Sequence, residues 1–106
     1  MPEITPTRNF RLYGRHRIPR SHRRVMLVLL TGAGRLSGYP ICRAAMTGPG
    51  TVYLVLERME KRGWVAGEWE TPDPLPGDRP RRRFYRLTPE GRSAVMELLG
   101  LEEAGA

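Results

Sequence analysis

Between Gly50 and Gly63 the apolar residues Val52, Val55, Leu56 and Met59 fall at i, i+3, i+4 and i+7. That spacing becomes one buried face only on an α-helix, so the fold must lay a core against it. The other segments are short, because 12 glycines and 10 prolines interrupt a chain of 106 residues. Val25 to Leu30 is apolar almost all round and predicts a helix central to the core, starting at about Ser21 with Ser21 as its cap. It stops at Thr31-Gly32-Ala33-Gly34. Ser37 is placed to cap a short helix with Pro40 in its first turn and Ile41, Ala44 and Ala45 as its apolar stripe. Thr47-Gly48-Pro49-Gly50 is a turn by composition, and the strongest helix follows from about Gly50 to Arg62, with Gly63 at the position of a left-handed cap.

Two strands are expected next, over 64–70 and 82–87, with the loop 71–80 and its four prolines between them. Thr88-Pro89-Glu90 then starts a last helix: Thr as cap, Pro in the first position, Glu at the positive end of the dipole. Val95, Leu98 and Leu99 carry it to Gly100. The expected class is α+β, mainly α, with three helices, a two-stranded wing and a C-terminal helix. That order is a winged helix-turn-helix. The length suits one domain, divided as a basic arm (1–20), the winged helix (21–100) and a short tail (101–106).

Charge is unevenly placed. Residues 1–56 carry nine Arg and one Glu, a net of +8, while residues 57–106 carry nine basic and ten acidic groups, a net of −1. Inside that near-neutral half sits a second basic block, Arg79, Arg81, Arg82, Arg83 and Arg86, for which no acidic run offers a partner. Cations gathered in two blocks mark a polyanion partner, usually nucleic acid. Arginine outnumbers lysine seventeen to one, which suits bidentate contacts to phosphate and guanine, although a GC-rich genome would give the same bias.

Gly38-Tyr39, Gly50-Thr51-Val52-Tyr53, Leu56-Glu57-Arg58-Met59, Gly63-Trp64-Val65 and the segment from Arg82 through Thr88 to Gly91 stand in an order and spacing that resembles the PadR family of transcriptional regulators. The likeness covers about residues 21–100. The basic stretch before Ser21 is longer than such proteins usually carry. The chain ends shortly after Leu99, as in the short-tailed branch of that family.

The resemblance implies a double-stranded DNA partner, a homodimer, a repressor and a cytoplasmic site of action. It also makes a small aromatic effector conceivable, with Trp64 and Trp69 otherwise expected in core or interface packing. The candidate DNA contacts are Tyr39, Thr47, Pro49, Thr51 and Tyr53 around the third helix and Arg79, Arg81, Arg82 and Arg83 in the wing. Arg8, Arg11, Arg15, Arg17 and Arg20 form a candidate arm on neighbouring phosphates. Val95, Leu98, Leu99 and Leu101 are the candidate dimer contacts. Arg58, Lys61 and Arg62 interleave with Glu57 and Glu60 and read as a solvated, paired face. Two alternatives stay open: a protein-interaction winged helix and an RNA-binding accessory protein using the basic arm.

Other classes find little support. No apolar run approaches the ~18 residues of a membrane span, the first residues lack a signal architecture, and the single cysteine, Cys42, allows no internal disulfide. His16 and His22 have no ligand-spaced companions, so neither metal nor cofactor is expected. No nucleophile or acid–base constellation suggests an enzyme.

Overall fold

The computed structural model describes residues 18–32, 34–71, 75, 77 and 79–101. The chain runs α1 (Arg20–Thr31), β1 (Leu36–Ser37), α2 (Gly38–Ala45), α3 (Pro49–Lys61), β2 (Val65–Trp69), β3 (Arg83–Leu87) and α4 (Pro89–Leu99). This is the winged helix-turn-helix arrangement, α+β and mainly α. Val52, Val55, Leu56 and Met59 of α3 are all but fully buried, and they meet Val25, Met26, Ile41, Trp64 and Val95 in one core.

The start of α1 differs from expectation. Ser21 does not cap it: the helix begins at Arg20, with Pro19 in the cap position and its carbonyl accepting from the Arg23 N–H at 3.0 Å. Proline fixes its own φ near the value a helix entry needs, so the cap falls two residues early. Ile18, assigned to the arm, is buried in the core. Nor is α1 apolar all round, since it buries His22, Val25, Met26 and Leu29 while Leu27 stays 40% exposed. Burial, and then the positive charge of Arg58, push the His22 imidazole below its ordinary pKa.

The sheet has a third strand that no sequence period announced. The two residues of β1 pair antiparallel with β3, Leu36 opposite Tyr85 and Ser37 opposite Phe84, giving the order β1-β3-β2. A pair of residues cannot show an alternation, but it occupies the edge of β3 that would otherwise leave N–H and C=O groups unpaired. Ser37 stands at the cap position of α2 as expected, yet its side chain makes no capping hydrogen bond. At the other end of α2, Met46 adopts the left-handed conformation (φ 51°), which costs a non-glycine residue about 1–2 kcal/mol. Two donors secure that corner: Arg24 Nε and Thr47 Oγ1 reach the Ala45 carbonyl at 2.9 and 2.8 Å. They satisfy an acceptor that the helix end leaves open. Cys42, expected to be buried, is half-buried against the core.

Gly63 has φ 78°, as its cap position requires, and the turn closes with Trp64 N–H on the Met59 carbonyl at 2.9 Å. The last helix docks on this turn. Thr88 Oγ1 accepts from Gly91 N–H at 2.9 Å and donates to the Gly63 carbonyl at 2.7 Å, while Thr88 N–H donates to the Trp64 carbonyl at 2.9 Å. Gly91 lies so close to Trp64 that a Cβ there would overlap the Trp64 carbonyl. Docking commits Val95 and Leu99 to the chain's own core, so these two do not present the dimer contacts expected of them. Leu98 is half-buried against the same core, and Leu101 is exposed.

Candidate nucleic-acid interface

A helix turns about 100° per residue, so the buried face of α3 fixes what its other sides present. Directly opposite the core run Gly50, Leu54, Glu57 and Lys61, all exposed. Glu57 and Lys61 form an i,i+4 pair at 3.6 Å, in line with the expected pairing on this helix. Tyr53 leans from the stripe toward the sheet. Its hydroxyl rests over Gly38, where any Cβ would collide with it, so the absence of a side chain at Gly38 lets the start of α2 approach the side of α3.

The first turn of α3 is open. Gly48, Pro49 and Gly50 are exposed, and a Cβ built at Gly48 or Gly50 would meet nothing within 4 Å. Pro49 sits in the first turn, where its missing N–H is harmless. Helix starts leave N–H groups without intrahelical acceptors, a ready site for a phosphate oxygen. Thr51 is half-buried, and the Thr47 hydroxyl already donates to the Ala45 carbonyl.

The wing is organised by glutamates, against the expectation that its cations lack acidic partners. Arg79 grips Glu70 with two hydrogen bonds, Nη1 to Oε1 at 2.9 Å and Nη2 to Oε2 at 2.6 Å. The Arg82 backbone N–H adds a third at 3.2 Å. The Arg79 hydrogen bonds are the main reason the Glu70 carboxyl is held down to about 2. Arg83 donates to Glu60 of α3 at 2.8 Å, a contact spanning 23 positions that ties wing to helix. Trp69 is not in the core as Trp64 is. It is 48% exposed, with the guanidinium carbons of Arg81 and Arg83 at 4.9 and 5.2 Å from its ring centroid, a cation–π arrangement. The side chain of Arg82 is exposed. On the outer side of the sheet, Arg35 meets Glu68 at 3.3 Å and lies 4.5 Å over the Phe84 ring.

These parts enclose an open groove of about 550 Å³, lined by Ser37, Gly38, Tyr39, Tyr53, Trp69, Tyr85 and the wing from Arg79 to Arg83. The fold thus gathers six of the candidate contacts: Tyr39, Tyr53, Arg79, Arg81, Arg82 and Arg83. Tyr39 is 70% exposed at the groove's lip, with the Arg43 guanidinium 5.9 Å from its ring centroid. Tyr85 forms the buried floor, its hydroxyl pushed above the ordinary tyrosine pKa by burial and then by Tyr53. Thr47, Pro49 and Thr51 stand apart from the groove, at the open turn of α3. Arg20 belongs to α1 rather than to an arm, while Arg8, Arg11, Arg15 and Arg17 lie outside the described residues. Sequence reasoning missed Glu60, Glu70 and Leu54. A glutamate 9 or 23 positions from its arginine leaves no local signal, although Leu54 was detectable as an apolar residue off the apolar face.

A second, wider groove of about 690 Å³ has Leu29, Leu30, Leu87 and Pro89 in its wall and Arg35, Arg86 and Arg92 beside them. Among the described residues, no helix is long and apolar enough to cross a membrane, and no group of three His, Cys, Asp or Glu could hold a metal ion.

The model of the Transcriptional regulator PadR-like family matches residues 27–97. No curated protein matches the chain. Among solved structures the fold is shared with NadR in complex with 4-hydroxyphenylacetate (22% identity, TM-score 0.63, 90% of this chain and 62% of that one). It is also shared with Bordetella bronchiseptica BpsR, whose DNA binding is regulated by 6-hydroxynicotinic acid (26% identity, TM-score 0.59, 89% and 69%). A transcriptional regulator homologue from Pyrococcus horikoshii OT3 aligns at 17% identity and TM-score 0.63, covering 89% and 88%. The chain therefore spans about three fifths of the length of NadR.

Proposed function

The chain belongs to the PadR-like family of transcriptional regulators, and from that membership we propose that it binds double-stranded DNA with sequence preference, as a homodimeric repressor acting in the cytoplasm. This is the work of a binding protein and not of an enzyme. The observation that carries the reading is the joining of three surfaces: the exposed stripe of α3, its open first turn, and a groove edged by Tyr39 and the wing arginines. A helix of this exposure fits the major groove, about 12 Å wide, with its first turn nearest the bases. The wing then lies along flanking backbone, where Arg81 and Arg82 are the phosphate contacts and Arg79 and Arg83 hold the wing in shape. Tyr39 and Tyr53 reach the backbone between wing and helix, and Thr51 flanks the helix start. The basic stretch 1–17 adds sequence-independent contacts to neighbouring phosphates.

Two copies related by a twofold axis read an inverted repeat. Leu101, Leu98 and the exposed Leu27 of α1 are the apolar contacts proposed for that pairing, Val95 and Leu99 being taken into the core. A small aromatic carboxylate is the proposed effector, by analogy with BpsR. The wider groove, apolar with three arginines beside it, suits such a ligand.

A mobility-shift competition at matched salt tests the reading with duplex selected from random DNA, unselected duplex and structured RNA. Selected duplex should win by about 10³-fold or more, as is typical of specific recognition. Equal competition by unselected duplex overturns it in favour of a protein-interaction role, and preference for RNA overturns it in favour of an RNA-binding one.

A further inference from the structure

Leu54 is the feature of α3 that neither the core nor the wing explains. It is 41% exposed, in the middle of the stripe opposite the buried face. Its companions there are Gly50, which has no side chain, and the mutually paired Glu57 and Lys61. The guanidinium-bearing Arg58 projects to the α1 side, where its charge is felt by buried His22. The first two turns of α3, the part that comes nearest to base edges in a helix-turn-helix, therefore offer no arginine to a guanine. They offer a branched aliphatic side chain and, one turn on, a carboxylate.

The major-groove edges of the bases carry one apolar group, the C5-methyl of thymine. Leucine cannot satisfy the guanine O6 and N7 acceptors or the cytosine amino group, and it would strip them of water without replacing those hydrogen bonds. We propose that Leu54 is a base-reading residue which packs on a thymine methyl and so fixes an A·T pair within each half-site. Site choice then rests on an apolar contact from the helix, while the wing supplies hold without choice. This assignment rests on the DNA-binding reading above.

The test removes the methyl alone. Duplex is selected from random DNA with the full chain, and each thymine of the enriched site is replaced in turn by uracil. Wild-type protein should lose about three- to fivefold in affinity at one position per half-site, the worth of one methyl group removed from water. Leu54→Ala, an exposed change that keeps a strong helix former, should lose the uracil effect at that position and keep its affinity for the other positions' variants. Leu54→Arg should shift the preference there from A·T toward G·C on reselection.

An enriched site at which every uracil costs wild type and Leu54→Ala equally overturns the assignment. So does a Leu54→Ala protein whose sedimentation shows loss of self-association while its uracil response is unchanged, for Leu54 would then be packing a second copy. A selection that enriches nothing removes the DNA-binding premise and the assignment with it. That failure is distinct from an enriched site indifferent to uracil.

Discussion

The wing carries four arginines within Arg79–Arg83, with Arg79 tied to Glu70 and Arg83 to Glu60, whereas the exposed stripe of α3 carries a glycine, a leucine and one Glu–Lys pair. The wing has charge in excess and uses part of it on itself; the helix has almost none and keeps an apolar surface. Charge acts at a distance and is blind to sequence, while contact with a base edge is short-ranged and selective. In the proposed function, grip and choice are therefore separated in space. The Arg83–Glu60 bond joins the two.

Four outcomes break or sharpen that contrast. The largest breaks both sides together. In Gly91→Ala the new methyl collides with the Trp64 carbonyl, which costs about 3 kcal/mol against about 1 kcal/mol gained in helix propensity. Thermal unfolding should fall by about 10 °C. An unchanged midpoint would mean that α4 does not dock as tightly as its geometry requires.

The second separates the wing's own arginines. Arg81→Ala with Arg82→Ala should weaken binding to every duplex about a hundredfold, and reduce the slope of log affinity against log salt by about 0.9 for each phosphate no longer neutralised. Arg79→Ala should change affinity less than about threefold, because that guanidinium is already engaged by Glu70. Equal effects in the two variants would erase the division between bracing and contacting arginines.

Third, Glu60→Gln should release Arg83 and uncouple wing from helix. Affinity for unselected duplex should rise by up to about tenfold while the ratio of specific to unselected binding falls. Stability should drop by about 1 kcal/mol or less, since both side chains are partly exposed. A ratio that stays constant would show that the pair does not set the spacing.

The smallest effect is a titration. Glu70 has its pKa lowered from 4.5 to about 2, so its pairing contributes stability in full above pH 4.5 and loses it as pH falls from 4.5 toward 2. Denaturant unfolding of Glu70→Gln across that window should show a shallower acid loss than wild type. His22 has a lowered pKa too, so its neutral form favours the fold, and that contribution begins to fade below pH 6.5. The His22 contribution therefore starts to fade at a higher pH than that of Glu70.

Much of the fold was legible in local pattern. The spacing of Val52, Val55, Leu56 and Met59 gave α3 its face, Gly63 gave its stop, and Thr88-Pro89 gave the start of α4 with the cap bond found there. Boundaries shifted where proline changed the entry, as at Pro19. The two-residue β1 was invisible because a strand that short has no period. The site was legible as composition rather than as contacts: a basic block in a loop is readable, but which of its arginines already hold a glutamate is not.

Sequence alone determined the helices, the caps at Gly63 and Thr88, the position of the wing and the presence of surplus positive charge, because each depends on residues within one or two turns of one another. Tertiary structure decided which charges are cancelled and which apolar residues are left outside. Glu70 reaches Arg79 and Glu60 reaches Arg83 only after β2 and β3 have paired and α3 has been packed beside them. Val95 and Leu99 became core through the same packing. Burial and ion pairing are relations between distant segments, and only the folded chain brings those segments within reach.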